Sequence, residues 1–266
     1  MNIIVCIKQV VDPEAPPSSF KIDPENNRVL PPPGIQSVIS TFDEYAVEAA
    51  LRIKEKVGGR ITALSLGDNL LREVVKKPLA MGADELVLLD DPFFIEGDSW
   101  STAYALSLAI NKIGQFDLIL CGRQAADWDS GQVGLGIAEI LGLPSVSIAR
   151  KVEVDNKIAI VEKVIPDGFE VIEVGLPAVI TLSNEHATPR YPNVKGIMMA
   201  KHKEPIVWKP SDIGADPTKI GANGRRVKLL KLFQPVREGK CEIIDADKPE
   251  EAAGILAQRL REDKVF

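Results

Sequence analysis

Cysteine and histidine are both scarce in this chain. Among 266 residues there are three cysteines, Cys6, Cys121 and Cys241, far apart and without a CxxC pair. That spacing predicts neither a disulfide framework nor a zinc site, and it suits a reducing cytoplasm. The two histidines, His186 and His202, lie in polar segments with no second ligand at metal-site spacing. No apolar run approaches the roughly 20 residues needed to cross a bilayer. The first residues form a strand-like run rather than a basic stretch followed by a hydrophobic segment, so neither membrane insertion nor a signal peptide is expected. A net charge of −6 disfavours nucleic acid as a partner, because neutralising phosphates needs clustered Lys and Arg.

Several catalytic signatures are missing as well. There is no GxxxxGK[ST] run and hence no P-loop. Gly134–Glu139 lacks the third small residue of a Rossmann fingerprint and follows the wrong strand. The first strand leads into Gln9-Val-Val-Asp12 rather than a Ser-Gly-Gly loop, which disfavours adenylation of the pyrophosphatase type. A nucleophile elbow, an HExxH helix and a paired catalytic Cys and His are absent too. These absences describe a binding or carrier protein whose redox chemistry, if any, comes from a bound cofactor.

What is present is an ordinary core-forming composition, 45% hydrophobic and 26% charged. Asn2–Lys8, Arg60–Leu66, Glu85–Asp90, Asp117–Cys121 and Ser145–Ala149 are short apolar runs, as expected of strands buried on both faces. Helical patterns separate them. Thr41 and Glu44 have the spacing of a capping box, ahead of a helix with Ala46, Ala49, Ala50, Ile53 and Val57 on one face. A second helix is expected over Asn69–Met81, bent or broken at Pro78. A third begins at Asp98 or Ser99 and turns Ala103, Leu106, Ile110 and Ile113 inward. This alternation predicts an α/β fold with a doubly wound, mainly parallel sheet, whose ligands lie beyond the carboxyl ends of the strands. Between the first strand and first helix, Asp12–Pro33 carries Pro13, Pro16, Pro17, Pro24 and Pro31 and reads as an excursion holding a short hairpin.

The stretch Cys121–Gly136 organises the rest. It joins a strand to a helix through a glycine-rich polar loop, presenting backbone N–H groups and a positive helix end to an anion. Asp127 and Asp129 can accept from ribose hydroxyls, and Ser130 and Gln132 can bond phosphate oxygens. A plain helix start, with Asp129 or Ser130 as N-cap, is the alternative.

Beyond Arg150 the pattern alternates around turns at Asp155-Asn156 and Pro166–Gly168, predicting a β-meander insertion over 151–175. Leu176–Leu182 returns as a buried strand. Residues 1–183 thus form the α/β domain. Residues 184–266 read as an extended, partner-wrapping arm without sustained period between Ser183 and Asp245. The arm ends in a helix from Asp247 with Ala252, Ile255, Leu256 and Leu260 on one face.

The chain resembles the β subunit of electron transfer flavoprotein over nearly its full length. The resemblance is carried by Asn2–Lys8, Phe42–Lys54, Ala80–Asp84, Gly122–Gly134, Glu162–Thr181 and Pro189–Met198. It implies a fold of the adenine-nucleotide-binding type and a heterodimer with an α subunit that holds an FAD. The pair passes electrons between flavin dehydrogenases, such as an acyl-CoA dehydrogenase, and an acceptor. In the family the β subunit binds AMP, or a second FAD where electrons from NADH are bifurcated; with AMP its part is structural. By position, the resemblance assigns nucleotide contacts to Cys6, Lys8, Ser40, Phe42, Leu66, Gly122, Arg123, Gln124, Asp127, Asp129, Ser130, Gly131, Gln132 and Val133. Dehydrogenase recognition falls within Tyr191–Ala200, at Tyr191, Val194, Ile197 and Met198. Where the family has Asn-Pro-Phe this chain has Ser40-Thr41-Phe42, and Val194 replaces an anchoring Leu. Trp128 and Gly131 stand where AMP-type members carry an acidic residue and an Asn. Ser130–Gly134 is closer to the bifurcating pattern.

Overall fold

The computed structural model describes residues 1–30, 32–235 and 241–265. Pro31 and the stretch 236–240 of the arm lie outside them. In chain order the elements are β1 (Asn2–Ile7), β2 (Gln9–Val11), β3 (Lys21–Asp23), β4 (Arg28–Leu30), β5 (Ser37–Ile39), α1 (Thr41–Val57) and β6 (Arg60–Gly67). Next come α2 (Arg72–Val75), α3 (Lys77–Met81), β7 (Glu85–Asp90), α4 (Ser99–Ile113), β8 (Leu118–Gly122) and α5 (Val133–Leu141). The chain continues through β9 (Ser145–Asp155), β10 (Ile158–Ile165), β11 (Gly168–Gly175), β12 (Ala178–Leu182), α6 (Val194–His202), β13 (Ile206–Trp208), α7 (Gly221–Gly224) and α8 (Pro249–Glu262).

Nine strands form one sheet in the order β11-β10-β9-β12-β8-β1-β6-β7-β13. Every pairing from β9 to β13 is parallel, and the β9–β10–β11 meander is antiparallel. β9 is a single long strand, so the meander continues the main sheet. Buried side chains alternate between the faces. Ile3, Val5, Leu118 and Leu120 pack with Ala46, Ala50 and Ile53 of α1, whereas Ile4, Cys6, Ile119 and Cys121 pack with Ala103, Leu106 and Ile110 of α4 and Ile137 of α5. Helices on both faces explain why these strands read as unbroken apolar runs.

The sheet opens between β1 and β8. Their pairing ends at Val5–Leu120, while β1 pairs with β6 as far as Ile7–Ser65 and β8 pairs with β12 as far as Gly122–Leu182. The winding also reverses here, because β6 and β7 lie on one side of β1 and β8 on the other. A crevice at such a reversal is where doubly wound sheets bind ligands.

Several local expectations change. The predicted capping box at Thr41 and Glu44 does not form: α1 starts at Thr41 after Ser40, and Glu44 pairs with Lys77 instead. Val57 is exposed at the helix end rather than packed. The expected 69–81 helix is two short ones separated at Lys76, with Pro78 in the first turn of α3, where its missing N–H costs nothing. The excursion carries the β3–β4 hairpin. Part of the supposedly irregular arm is ordered: α6 packs on α3, and β13 extends the sheet beside β7. The last helix begins at Pro249 after Lys248, not at Asp247, and no side chain along it is buried.

Asp98 joins the arm to the domain. Its Oδ1 accepts the Ser101 N–H at 3.0 Å and caps α4, while Oδ2 accepts the N–H groups of Arg226 at 2.6 Å and Val227 at 3.0 Å. Burial opposes its charge, but these backbone bonds outweigh it and hold the carboxyl below the usual range. Asp98→Ala is expected to cost about 1–2 kcal/mol, for a lost cap and two unmet donors. Urea unfolding measures the loss, and faster proteolysis within 225–235 would report the freed arm.

Candidate functional site

The crevice between β1 and β8 is roofed by the loop Arg123–Gln132. Lys8, just past β1, reaches up to the loop with its ammonium 2.6 Å from Asp127 Oδ2. Gln124 Nε2 donates to Asp129 Oδ1 at 2.7 Å, and the Asp129 N–H donates to the Ala125 carbonyl at 2.9 Å. Asp129 and Gly131 take left-handed φ angles of 51° and 64°, which turns the chain sharply toward α5. Ser130 Oγ accepts from Ser99 Oγ at 3.1 Å, so the loop also touches the start of α4. Gln132, not Asp129 or Ser130, is the N-cap of α5, and it makes no side-chain cap. The first N–H groups of this nine-residue helix, which follows directly on the loop, have no intrahelical acceptors and no side-chain cap from Gln132.

The floor is apolar. Cys6 is buried, and Leu66 and Val133 pack half-buried against the same cluster. The Cys121 thiol is pushed well up, first by its hydrogen bond with Cys6 and then by burial, which leaves it a packing group rather than a nucleophile. Phe42 lies beside the crevice with the Arg123 guanidinium 4.7 Å from its ring centre.

Arg123 is a half-buried cation of the site whose guanidinium carries one buried, unpaired N–H among the described residues. Its backbone N–H bonds the Leu182 carbonyl at 2.9 Å, yet its Nε is buried with no acceptor among the described residues. A buried charged donor without a partner is costly and marks where an anionic acceptor fits. The residues present therefore suit a phosphate-bearing ligand.

Two acidic side chains were not assigned from the sequence. Asp43 lies 6% exposed on the inward face of α1, three residues before Ala46. Glu48, only 1% exposed, is held by Arg190 and Arg52. The signal for Asp43 was an acid beside the apolar stripe of a helix, a placement that requires a partner, whereas Glu48, two residues after Ala46, falls on the other side of the helix and carried no such signal. The structure brings Cys6, Lys8, Ser40, Phe42, Leu66 and Gly122–Val133 together around one crevice. Tyr191, Val194, Ile197 and Met198 form a separate surface on and before α6, 92%, 75%, 54% and 61% exposed. Asn193 caps that helix through the Gly196 N–H at 2.8 Å. At Gly196 a Cβ would sit 2.2 Å from the Ala80 carbonyl oxygen, so α6 lies hard against α3 with its apolar side chains turned out.

The electron transfer flavoprotein domain model matches residues 33–213. The chain is 41% identical to the electron transfer flavoprotein subunit beta of Thermoanaerobacterium thermosaccharolyticum over the whole of both chains. It is 38% identical, again over the whole of both, to the caffeyl-CoA reductase-Etf complex subunit CarD of Acetobacterium woodii. It is also 32% identical to the acryloyl-CoA reductase electron transfer subunit gamma of Anaerotignum propionicum, covering 97% of this chain and 99% of that one. Among the described residues no helix is long and apolar enough to cross a membrane. The crevice at the sheet reversal, the loop that roofs it and these full-length identities lead to one conclusion: the chain belongs to the electron transfer flavoprotein family, as a β-type subunit.

Proposed function

We propose that this chain pairs with an electron transfer flavoprotein α subunit that holds an FAD, and itself binds a second adenine nucleotide in the β1–β8 crevice. The observation that carries the reading is Arg123, a half-buried guanidinium just past the end of β8 whose buried Nε has no acceptor among the described residues. The nucleotide phosphates belong against Arg123 and the first N–H groups of α5, with Ser130 and Gln132 bonding their oxygens. Asp127 and Asp129 would accept from ribose hydroxyls, Asp127 while keeping Lys8 at hand. Cys6, Leu66 and Val133 form the apolar wall, and Ser40, Phe42, Gly122, Gln124 and Gly131 shape the entrance. A bound FAD would supply reversible electron uptake, and the side chains of this subunit bind, orient and shield it. We favour FAD over AMP because Trp128 and Gly131 replace the acidic residue and Asn of AMP-type members.

The setting is a reducing cytoplasm, which the unpaired thiols suit. The exposed face of Tyr191, Val194, Ile197 and Met198 supports docking of a flavin dehydrogenase, such as an acyl-CoA dehydrogenase. The unburied face of α8 supports wrapping around the α subunit. Electrons then pass from the dehydrogenase through the heterodimer to an acceptor.

Co-expression with an α subunit followed by denaturation and nucleotide analysis tests this. Two FAD per heterodimer support the reading. One FAD and one AMP make the subunit's role structural. One FAD with no other nucleotide overturns it. Asp129→Ala combined with Gln132→Ala is expected to weaken binding in this subunit roughly a hundredfold, from about 1–1.5 kcal/mol per lost hydrogen bond. Undiminished nucleotide content in the purified double variant refutes the site.

A further inference from the structure

Asp43 belongs to neither the loop nor the crevice mouth, yet it spans the gap where the sheet opens. Its Oδ2 accepts the Lys8 N–H at 2.8 Å and its Oδ1 accepts the Gly122 N–H at 3.1 Å. Those two N–H groups belong to adjacent parallel strands just beyond their last mutual pair, Val5–Leu120. No sheet hydrogen bond joins the two strand ends there, and one carboxylate takes its place. Neighbouring residues add two more ties: the Ser40 N–H donates to the Lys8 carbonyl at 2.9 Å, and Ser40 Oγ accepts the Ala126 N–H of the loop at 3.2 Å. Residues 40–43 therefore hold both walls of the crevice and its roof at once.

We propose that Asp43 is the positioning residue of the nucleotide site: its buried carboxylate sets the separation of the β1 and β8 ends and so the seat of Lys8 and Arg123. The inference rests on the nucleotide-binding reading above. Both oxygens face N–H donors, and a carboxylate serves both, whereas a protonated acid must turn one oxygen into a donor. Burial raises this carboxyl to about 7, against the pull of the Lys8 and Gly122 N–H groups. The charged and titratable groups facing it are Lys8, just past β1, Asp127 from the loop, which opposes its ionisation, and Cys121 from β8.

Two pH slopes of opposite sign follow. For stability, a carboxyl raised in the fold binds more protons folded than unfolded between its usual value of 3.8 and about 7, so its contribution is lost as pH rises through that window. For nucleotide retention the ionised form is the competent one, so retention rises with pH through about 7. A purely structural acid would change only the first.

The test uses the co-expressed heterodimer, dialysed at pH values from 6 to 8, with FAD and AMP counted beyond the single FAD of the α subunit. The wild type is expected to hold its second nucleotide at the upper end and release it at the lower. Asp43→Asn, which keeps one acceptor and sets an amide against the other N–H, is expected to hold at least about tenfold less at the upper end, with no pH slope. Equal retention by the Asn variant, or a wild-type slope that is flat or reversed, overturns the role of Asp43 while leaving the site intact. A wild type without any second nucleotide overturns the site and this inference together. The wild-type profile needs no variant, so it decides even if Asp43→Asn does not fold.

Discussion

Replacing Arg190 by alanine is expected to lower stability by about 3 kcal/mol at neutral pH, because it strips a buried charge of its main partner. Glu48 lies on α1 beneath Arg190, with its side chain 1% exposed. Its Oε2 accepts the Arg190 N–H at 3.1 Å and Nε at 2.8 Å, and its Oε1 accepts Arg190 Nη2 at 3.1 Å and Arg52 Nε at 2.7 Å. Arg190 also pairs with Glu55, and the bonds to Glu55 and Glu48 raise its own pKa. Burial works against the Glu48 charge, but these guanidinium bonds outweigh it and hold the carboxyl below its usual 4.5. A lowered carboxyl contributes stability above its unfolded value, and that contribution disappears as pH falls through the folded value. The difference between wild type and Arg190→Ala should therefore shrink on acidification. Urea unfolding at pH 7 and near pH 4 measures it; a loss under about 1 kcal/mol at pH 7 would show that Arg52 alone satisfies Glu48. The same arginine precedes the exposed Tyr191–Met198 surface, so the variant should also weaken the dehydrogenase docking proposed for that surface.

The second large effect is expected at Gly122. A Cβ there would lie 2.5 Å from Asp43 Oδ1 and 2.8 Å from the carbonyl carbon of Phe42. A side-chain oxygen can swing away, but the main-chain carbon at the start of α1 cannot. Gly122→Ala must push α1 off the end of β8 and break the Asp43 bond to the Gly122 N–H. The expected cost is about 3 kcal/mol, seen as a melting temperature lower by about 6–12 °C for a chain of this size, with loss of the second nucleotide. Gly175→Ala, where nothing lies within 4 Å of a Cβ, is the matched control and should melt near the wild type. If the two variants melt alike, α1 is not tightly seated against β8.

The α6 face shows how a segment can carry clear chemistry and obscure structure. Val194–His202 reads as irregular, and its large side chains, Val194, Ile197, Met198 and Met199, are the exposed ones. The side packed on α3 is small, Gly196 and Ala200. Val194, Ile197 and Met198 keep the i, i+3, i+4 spacing of a helix, but nine residues between prolines show too little of the period to stand out. β13 is hidden for a related reason: three residues long, it borrows its order from the edge of β7.

By itself the sequence determined the five parallel strands, most of the helices that cover them and the glycine-rich loop that joins β8 to α5. Those features are written in local period and composition: continuous apolar runs for strands buried on both faces, and a glycine-rich polar stretch between a strand and a helix. Only the tertiary structure decided which partner each buried acid meets. Asp43 meets Gly122 across 79 positions and Glu48 meets Arg190 across 142. The sequence shows Asp43 only as an interruption of an apolar face, and Glu48 as an ordinary acid on the opposite side of α1. Each partner is chosen by how the strands splay and where the chain returns, and no local pattern encodes that.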